Sequence, residues 1–311
     1  MTSIEWVRNP DNETQGITVN SKTGCLNHEN GLCKGGGFPC YAYKLAHERL
    51  KSIYLTNPNT IASQIINDTP LNMMQKQVKA ELDPFYPRFW KDRLAAVHKI
   101  TKPTGIFLDD MSDWMGEYWP REWTWMELQI MRDCPQHRFY TLTKQPQQLI
   151  NWSPFPDNAW VGVTATTWLK FSNALGYLAA IKAKVKYLSF EPLLEQIQMD
   201  MLQKMLFPKV INWLIIGAWT GSIEDKYRFR DKYPDLQAME YGHKITLQPK
   251  IEWVREIVEA ADRAGVKVFL KDNLRSLLDS SDMKQYEELW QHKEPRVLEF
   301  PLRLRQEMPK K

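Results

Sequence analysis

Three cysteines, spaced Cys25-x7-Cys33-x6-Cys40, stand in the glycine-rich stretch TGCLNHENGLCKGGGFPCYAYKLAHER at 23–49. No aliphatic run interrupts this loop, so it is poorly suited to burial as core. Thiolates are soft donors; gathered in threes they suit an iron–sulfur cluster or zinc, and a hard cation far less. Three of them can bind three irons of a [4Fe–4S] cluster and leave the fourth iron open. The amino and carboxylate groups of S-adenosylmethionine (AdoMet) can chelate an open iron, and one electron then cleaves the sulfonium to a 5′-deoxyadenosyl radical, chemistry no side chain supplies. The competing reading is zinc. His28 lies inside the loop, and Cys25-x2-His28-x4-Cys33-x6-Cys40 is a donor set for a closed Cys3His staple. A protein so stapled would be a non-enzymatic α/β binding module for nucleic acid or a protein partner. Spacing alone leaves both open. The run Gly35-Gly36-Gly37 fits close backbone approach to a ligand, or a turn needing positive φ.

The elements that must position this loop follow a repeating pattern, a short apolar strand ending in polar residues and then an amphipathic helix. Strands are predicted at 17–19, 77–82, 105–108, 138–142, 160–163, 185–190, 213–216 and 266–270, and helices at 41–51, 122–134, 169–184 and 251–264. Near-continuous apolar strands alternating with helices imply a parallel sheet covered by helices. About eight strands fit a closed or partly open TIM-like (β/α) barrel, with an open doubly wound sheet as the alternative. Residues 1–275 form the expected barrel domain and 276–311 a charged C-terminal appendage.

In such folds functional groups collect where the strands end. Glu191, before Pro192, would hold a ribose or amino group, accept a proton, or pair with Lys144 or Lys271. Lys144 and Lys271 suit a carboxylate or phosphate. Asp109, Asp110, Ser112 and Asp113 cluster after one strand; Ser112 and Asp113 are cofactor or substrate contacts, or helix caps. Thr164 and Thr166 are ribose or phosphate contacts, or structural. Cys134, against Pro135, reads as a buried apolar thiol and not a fourth ligand. No paired histidines, nucleophile elbow or P-loop occur.

Forty-one Lys and Arg against 37 Asp and Glu give a net charge of +4 over 311 residues, which permits a nucleic-acid partner without demanding one. The 13 tryptophans, among them Trp114, Trp119, Trp123, Trp125, Trp168 and Trp219, stack on bases or cover a barrel rim. Four cysteines are too few for a disulfide framework, the start MTSIEWVRNP carries no apolar signal, and no window is long enough to cross a bilayer. A cytoplasmic protein with reduced thiols is expected.

Taken in order, a set of blocks resembles the phage-associated three-cysteine-motif family named for phage gene product 37/68, which is placed near the radical-SAM enzymes. The blocks are IEW at 4–6, GC at 24–25, CYA at 40–42, IFLDDMSD at 106–113, LTKQP at 142–146, WVGVTA at 160–165, YLSFEPLL at 187–194, WLIIGAWTG at 213–221 and AGVKVFLKD at 264–272. The lysine–triglycine segment between Cys33 and Cys40 departs from the family, which keeps those cysteines closer. So does Ala218-Trp219, where the family more often shows a glycine and an acidic residue. The resemblance implies a radical-SAM-like barrel with a [4Fe–4S] cluster on Cys25, Cys33 and Cys40, AdoMet as co-substrate, and an electron donor such as flavodoxin or ferredoxin. It also leaves room for a neighbouring-gene partner protein. A nucleotide or nucleic acid is the first substrate class it suggests.

Overall fold

The computed structural model describes residues 2–27, 40–64, 69–223, 232–278 and 304–309. In chain order the strands are β1 (Ile17–Val19), β2 (Lys22–Thr23), β3 (Arg88–Phe89), β4 (Gly105–Leu108), β5 (Arg138–Thr143), β6 (Ala159–Thr164), β7 (Val185–Phe190), β8 (Trp213–Ile216), β9 (Trp219–Gly221), β10 (Gln237–Tyr241), β11 (Lys244–Gln248) and β12 (Lys267–Leu270). Seven of them form a parallel sheet in the order β1-β4-β5-β6-β7-β8-β12, with helices between successive strands. The fold is α/β, and among the described residues no pairing of β1 with β12 closes the sheet, which leaves the partly open form of the (β/α) arrangement. The central strands are apolar because both their faces are covered; β4 and β8 are buried at every position.

The chain divides into two compact units. The first comprises 1–161 and 182–184, the second 162–181 and 185–311. In the first unit lie α1 (Tyr41–His47), α2 (Lys51–Leu55), α3 (Pro70–Leu82), α4 (Lys91–Ala95) and α5 (Arg121–Asp133). The segment 77–82, expected as a strand, is the end of α3. Thr69 caps that helix by accepting from the Asn72 N–H at 3.3 Å, Pro70 fixes its first turn, and Val78 is the one β-branched residue in a run of helix formers. Its loss from the strand count turns the expected eight into seven. The helix expected over 41–51 breaks after His47 and resumes at Lys51 as α2.

The second unit holds α6 (Trp168–Ala180), α7 (Met201–Val210), α8 (Ile251–Ala264) and α9 (Arg275–Leu278). On α8, Trp253, Val254, Ile257, Val258 and Ala261 are buried, and Gly265 ends the helix in the left-handed region. Helix α7 has no counterpart among the expected elements; a capping box of Asp200 and Gln203 starts it. The insertion at 222–246 contributes β10, which pairs with β11, and β11 pairs in turn with β9 as a small antiparallel sheet. Residues 304–309 run back along β12, where the Leu270 N–H donates to the Arg305 carbonyl and the Glu307 N–H to the Val268 carbonyl, both at 2.8 Å. The backbone groups of that edge strand are thereby satisfied. Most of the expected appendage, 279–303 and 310–311, lies outside the described residues. Among the described residues no helix is long and apolar enough to cross a membrane.

Candidate functional site

In the first unit, β2 leads directly into the cysteine loop and pairs antiparallel with β3. Gly24 turns the chain there at φ +80, and a Cβ on it would sit 2.4 Å from the Phe85 carbonyl oxygen and 2.7 Å from that of Tyr86. Only glycine meets both demands. Backbone bonds string the turn between two segments: the Gly24 N–H donates to the Met111 carbonyl and the Cys25 N–H to that of Phe85, each at 3.1 Å. The Ser112 hydroxyl adds a bond to the Gly24 carbonyl at 2.8 Å. Ser112, expected as a cofactor contact or cap, thus holds the residue before Cys25.

Cys25 is buried together with Ala42, Ala46, Tyr54, Phe85 and Met111, and Cys40 packs against that same cluster just before α1. Two of the three cysteines therefore share one apolar neighbourhood within one unit. Cys33 and His28 lie outside the described residues. Among the described residues no group of three or more His, Cys, Asp or Glu side chains gathers as a metal site.

Asp113 is buried beside this loop. Its Oδ1 accepts from the Thr143 hydroxyl at 2.5 Å and from the Met115 N–H at 3.2 Å. Its Oδ2 accepts from the Asn27 amide at 2.6 Å and the Lys144 N–H at 2.8 Å. The end of β5 is tied to the cysteine loop again through Gln145, whose amide donates to Asn27 Oδ1 at 2.6 Å. Lys144 contributes its backbone to this network, and its side chain is exposed. Burial first, and then the neighbouring Cys25 and Asp113, push the Tyr118 phenol well above its ordinary range. Asn27, Tyr118 and Gln145 were not singled out in the sequence. Their only signal there is nearness to Cys25, to the strand-end acids and to Lys144.

A charged core gathers around Lys22 of β2. Lys22 and Glu127, both with fully buried side chains, pair at 2.7 Å, and the lysine also donates to Thr124 Oγ1 and the Trp114 carbonyl. Asp109 adopts φ +62 and accepts from the Lys22 N–H and the Ser21 hydroxyl. Burial, with Glu127 nearby, holds its carboxyl well above the usual range. Burial also raises Asp110. Cys134 is buried with its sulfur 3.5 Å from His98 Nδ1, and burial pushes its thiol up.

In the second unit, the ends of β7, β8 and β12 bring a different set together. Glu191 pairs at 2.5 Å with Lys271, one of the two lysines considered for it. The Ser189 hydroxyl donates to Glu191 Oε2 at 3.0 Å. Gly217 lies between them: a Cβ there would stand 3.0 Å from Lys271 Cδ, 3.3 Å from Asn273 Oδ1 and 3.4 Å from Glu191 Cγ. Thr164, at the end of β6, is 5% exposed, and among the described residues its hydroxyl oxygen has no hydrogen-bond partner. The Thr166 hydroxyl takes a bond from Lys170 Nζ at 3.3 Å. The Glu191–Lys271 pair is about four-fifths buried on each side and retains an exposed portion, so a ligand with both an amine and a carboxylate can exchange partners with it. Of the six tryptophans, Trp114, Trp119, Trp123 and Trp219 are buried, and Trp125 and Trp168 are exposed.

A family model described as "Protein of unknown function (DUF5131)" matches residues 1–230. No curated protein matches the chain. Solved structures of spore photoproduct lyase show a distant likeness. A mutant with dinucleoside spore photoproduct aligns at a TM-score of 0.44 and 11% identity, over 80% of this chain and 75% of that one. A second mutant aligns at 0.42 and 11%, over 82% and 76%. A third, with bound AdoMet and dinucleoside spore photoproduct, aligns at 0.40 and 12%, over 81% and 75%. Likeness at this level carries no argument about the reaction.

Proposed function

The chain belongs to the family described as Protein of unknown function (DUF5131), and from that premise we propose that it is a radical-SAM-like enzyme whose Cys25, Cys33 and Cys40 hold a [4Fe–4S] cluster. One observation carries the reading: Cys25 and Cys40 pack against one apolar cluster that contains Phe85 and Met111. Thiolates in such surroundings are shielded from water and suit a cluster, whose potential depends on exposure and on hydrogen bonds to sulfur. The likeness of the sequence blocks to the phage three-cysteine-motif proteins supports the same reading. A cluster held by these cysteines would supply the one-electron reducing chemistry that AdoMet cleavage needs.

The chain's own groups do the rest. Ser112 and the bonds to Met111 and Phe85 hold the turn at Gly24 and Cys25. In the second unit Glu191 accepts from an amino or hydroxyl group of a ligand, Lys271 neutralises a carboxylate or phosphate, and the Thr164 hydroxyl, unbonded among the described residues, is available to a polar ligand group. Lys144 binds an anionic group of the substrate. A nucleotide or nucleic acid is the substrate class that the mild basicity and the exposed Trp125 and Trp168 favour. The reading calls for an electron donor, such as a flavodoxin or ferredoxin.

Metal analysis separates this from a zinc-stapled binding module. Anaerobically purified protein should be brown and carry about four irons per chain, and His28→Ala should leave that iron in place. A colourless protein holding one zinc, lost on His28→Ala, would establish the Cys3His staple instead.

A further inference from the structure

The polar network beside Cys25 is more elaborate than a loop anchor requires. The Asn27 N–H points at Cys25 Sγ at 3.3 Å. The Asn27 side chain is held at both ends, its amide on Asp113 Oδ2 and its carbonyl under the Gln145 amide, each at 2.6 Å. Each clamp is itself fixed. Asp113 takes bonds from Thr143, Lys144 and Met115. The Gln145 N–H donates to Thr143 Oγ1 at 2.9 Å, and Gln145 Oε1 accepts from the Glu117 N–H at 3.0 Å. Asn27 is 1% exposed and Gln145 equally so, and water therefore cannot readily replace either contact.

From this we infer that Asn27, Asp113 and Gln145 are positioning residues for Cys25: they lock the turn that aims the Asn27 N–H at the cysteine sulfur, and so fix the sulfur in place and favour the reduced state of a cluster bound through it. The electronic half rests on the cluster reading above; the positioning half does not. An N–H directed at a thiolate sulfur stabilises the more negative, reduced state of a cluster, so loosening it moves the midpoint potential to more negative values. A sulfur no longer held against its neighbours is exposed more often by local opening.

Two substitutions test this. Asn27→Ala removes both side-chain tethers and keeps the N–H; Gln145→Glu keeps the acceptor for Glu117 and turns the donor facing Asn27 into a second acceptor. In metal-free full-length protein, alkylation by iodoacetamide followed by peptide mapping reads Cys25 with Cys40 as internal reference. Both variants should alkylate Cys25 about fivefold faster relative to Cys40; both lose stability through the broken buried bonds, and the ratio to Cys40 discounts that global loss. After anaerobic reconstitution both should retain iron with a more negative EPR-monitored midpoint potential. Wild-type alkylation ratios in both variants would overturn the positioning role, and unchanged potentials would overturn the electronic role. If Asn27→Ala does not fold, Gln145→Glu decides. A wild-type chain that takes up no iron would end the cluster reading and the electronic half with it, while the alkylation ratios would still decide for or against positioning.

Discussion

Replacing Lys22 with methionine should cost about 3–5 kcal/mol of unfolding free energy, the largest loss expected from a single polar substitution among the described residues. The reason is the company the ammonium keeps. Its partner Glu127 is fully buried, and four further acceptors or donors in the same pocket (Thr124 Oγ1, the Trp114 carbonyl, the Trp114 indole N–H on Glu127 Oε2 and the Ser21 hydroxyl on Glu127 Oε1) are arranged around the pair. Asp109 stands beside them with its carboxyl pushed up by burial and by Glu127, so the lysine's single charge is balanced by Glu127. Methionine fills much of the volume but leaves the glutamate without its counter-charge. Urea denaturation followed by circular dichroism measures the loss; a change below about 1 kcal/mol would mean that the pair is no more than a surface-strength ion pair. Lys22 precedes Cys25 by three positions, so the same variant should also lose metal.

Gly24→Ala should act more locally and strike the site harder. A non-glycine residue at φ +80 costs roughly 1–3 kcal/mol from backbone strain alone. The added methyl would also meet two carbonyl oxygens closer than 3 Å, and these belong to backbone, which cannot swing aside as a flexible side chain can. Relief requires the turn to move away from Phe85 and Tyr86, and Cys25 moves with it. The expected result is a folded protein with lowered stability and strongly reduced iron per chain. Wild-type iron content in Gly24→Ala would show that the turn does not set the position of Cys25.

The strands were legible because burial on both faces writes itself into the sequence as short apolar runs; 105–108, 185–190 and 213–216 match β4, β7 and β8 at both ends. Helix α8 was legible for a related reason, since one buried stripe and a closing glycine mark it. Helix α3 was not, because its apolar residues Leu71, Met74, Val78 and Leu82 are exposed and give no buried face to recognise. The site divides in the same way. The cysteines announce themselves by chemistry, and Glu191 and Lys271 by ending apolar strands. The clamp on Asn27 joins residues 86 and 118 positions apart, and the Lys22–Glu127 pair spans 105. Periodicity carries no record of polar partners so distant, so Ser112 and Asp113 read as ligand contacts or caps, and their bonds to the cysteine loop became visible only in the fold.

The proposed chemistry requires three thiolates that hold a cluster with one open corner. EPR of the anaerobic, dithionite-reduced protein, recorded with and without AdoMet, addresses this directly. The prediction is a [4Fe–4S] signal that changes shape when AdoMet is added, lost when Cys25, Cys33 or Cys40 is replaced by serine, and accompanied by 5′-deoxyadenosine in the quenched mixture. An EPR-silent protein carrying stoichiometric zinc, or an iron signal indifferent to AdoMet, would contradict it.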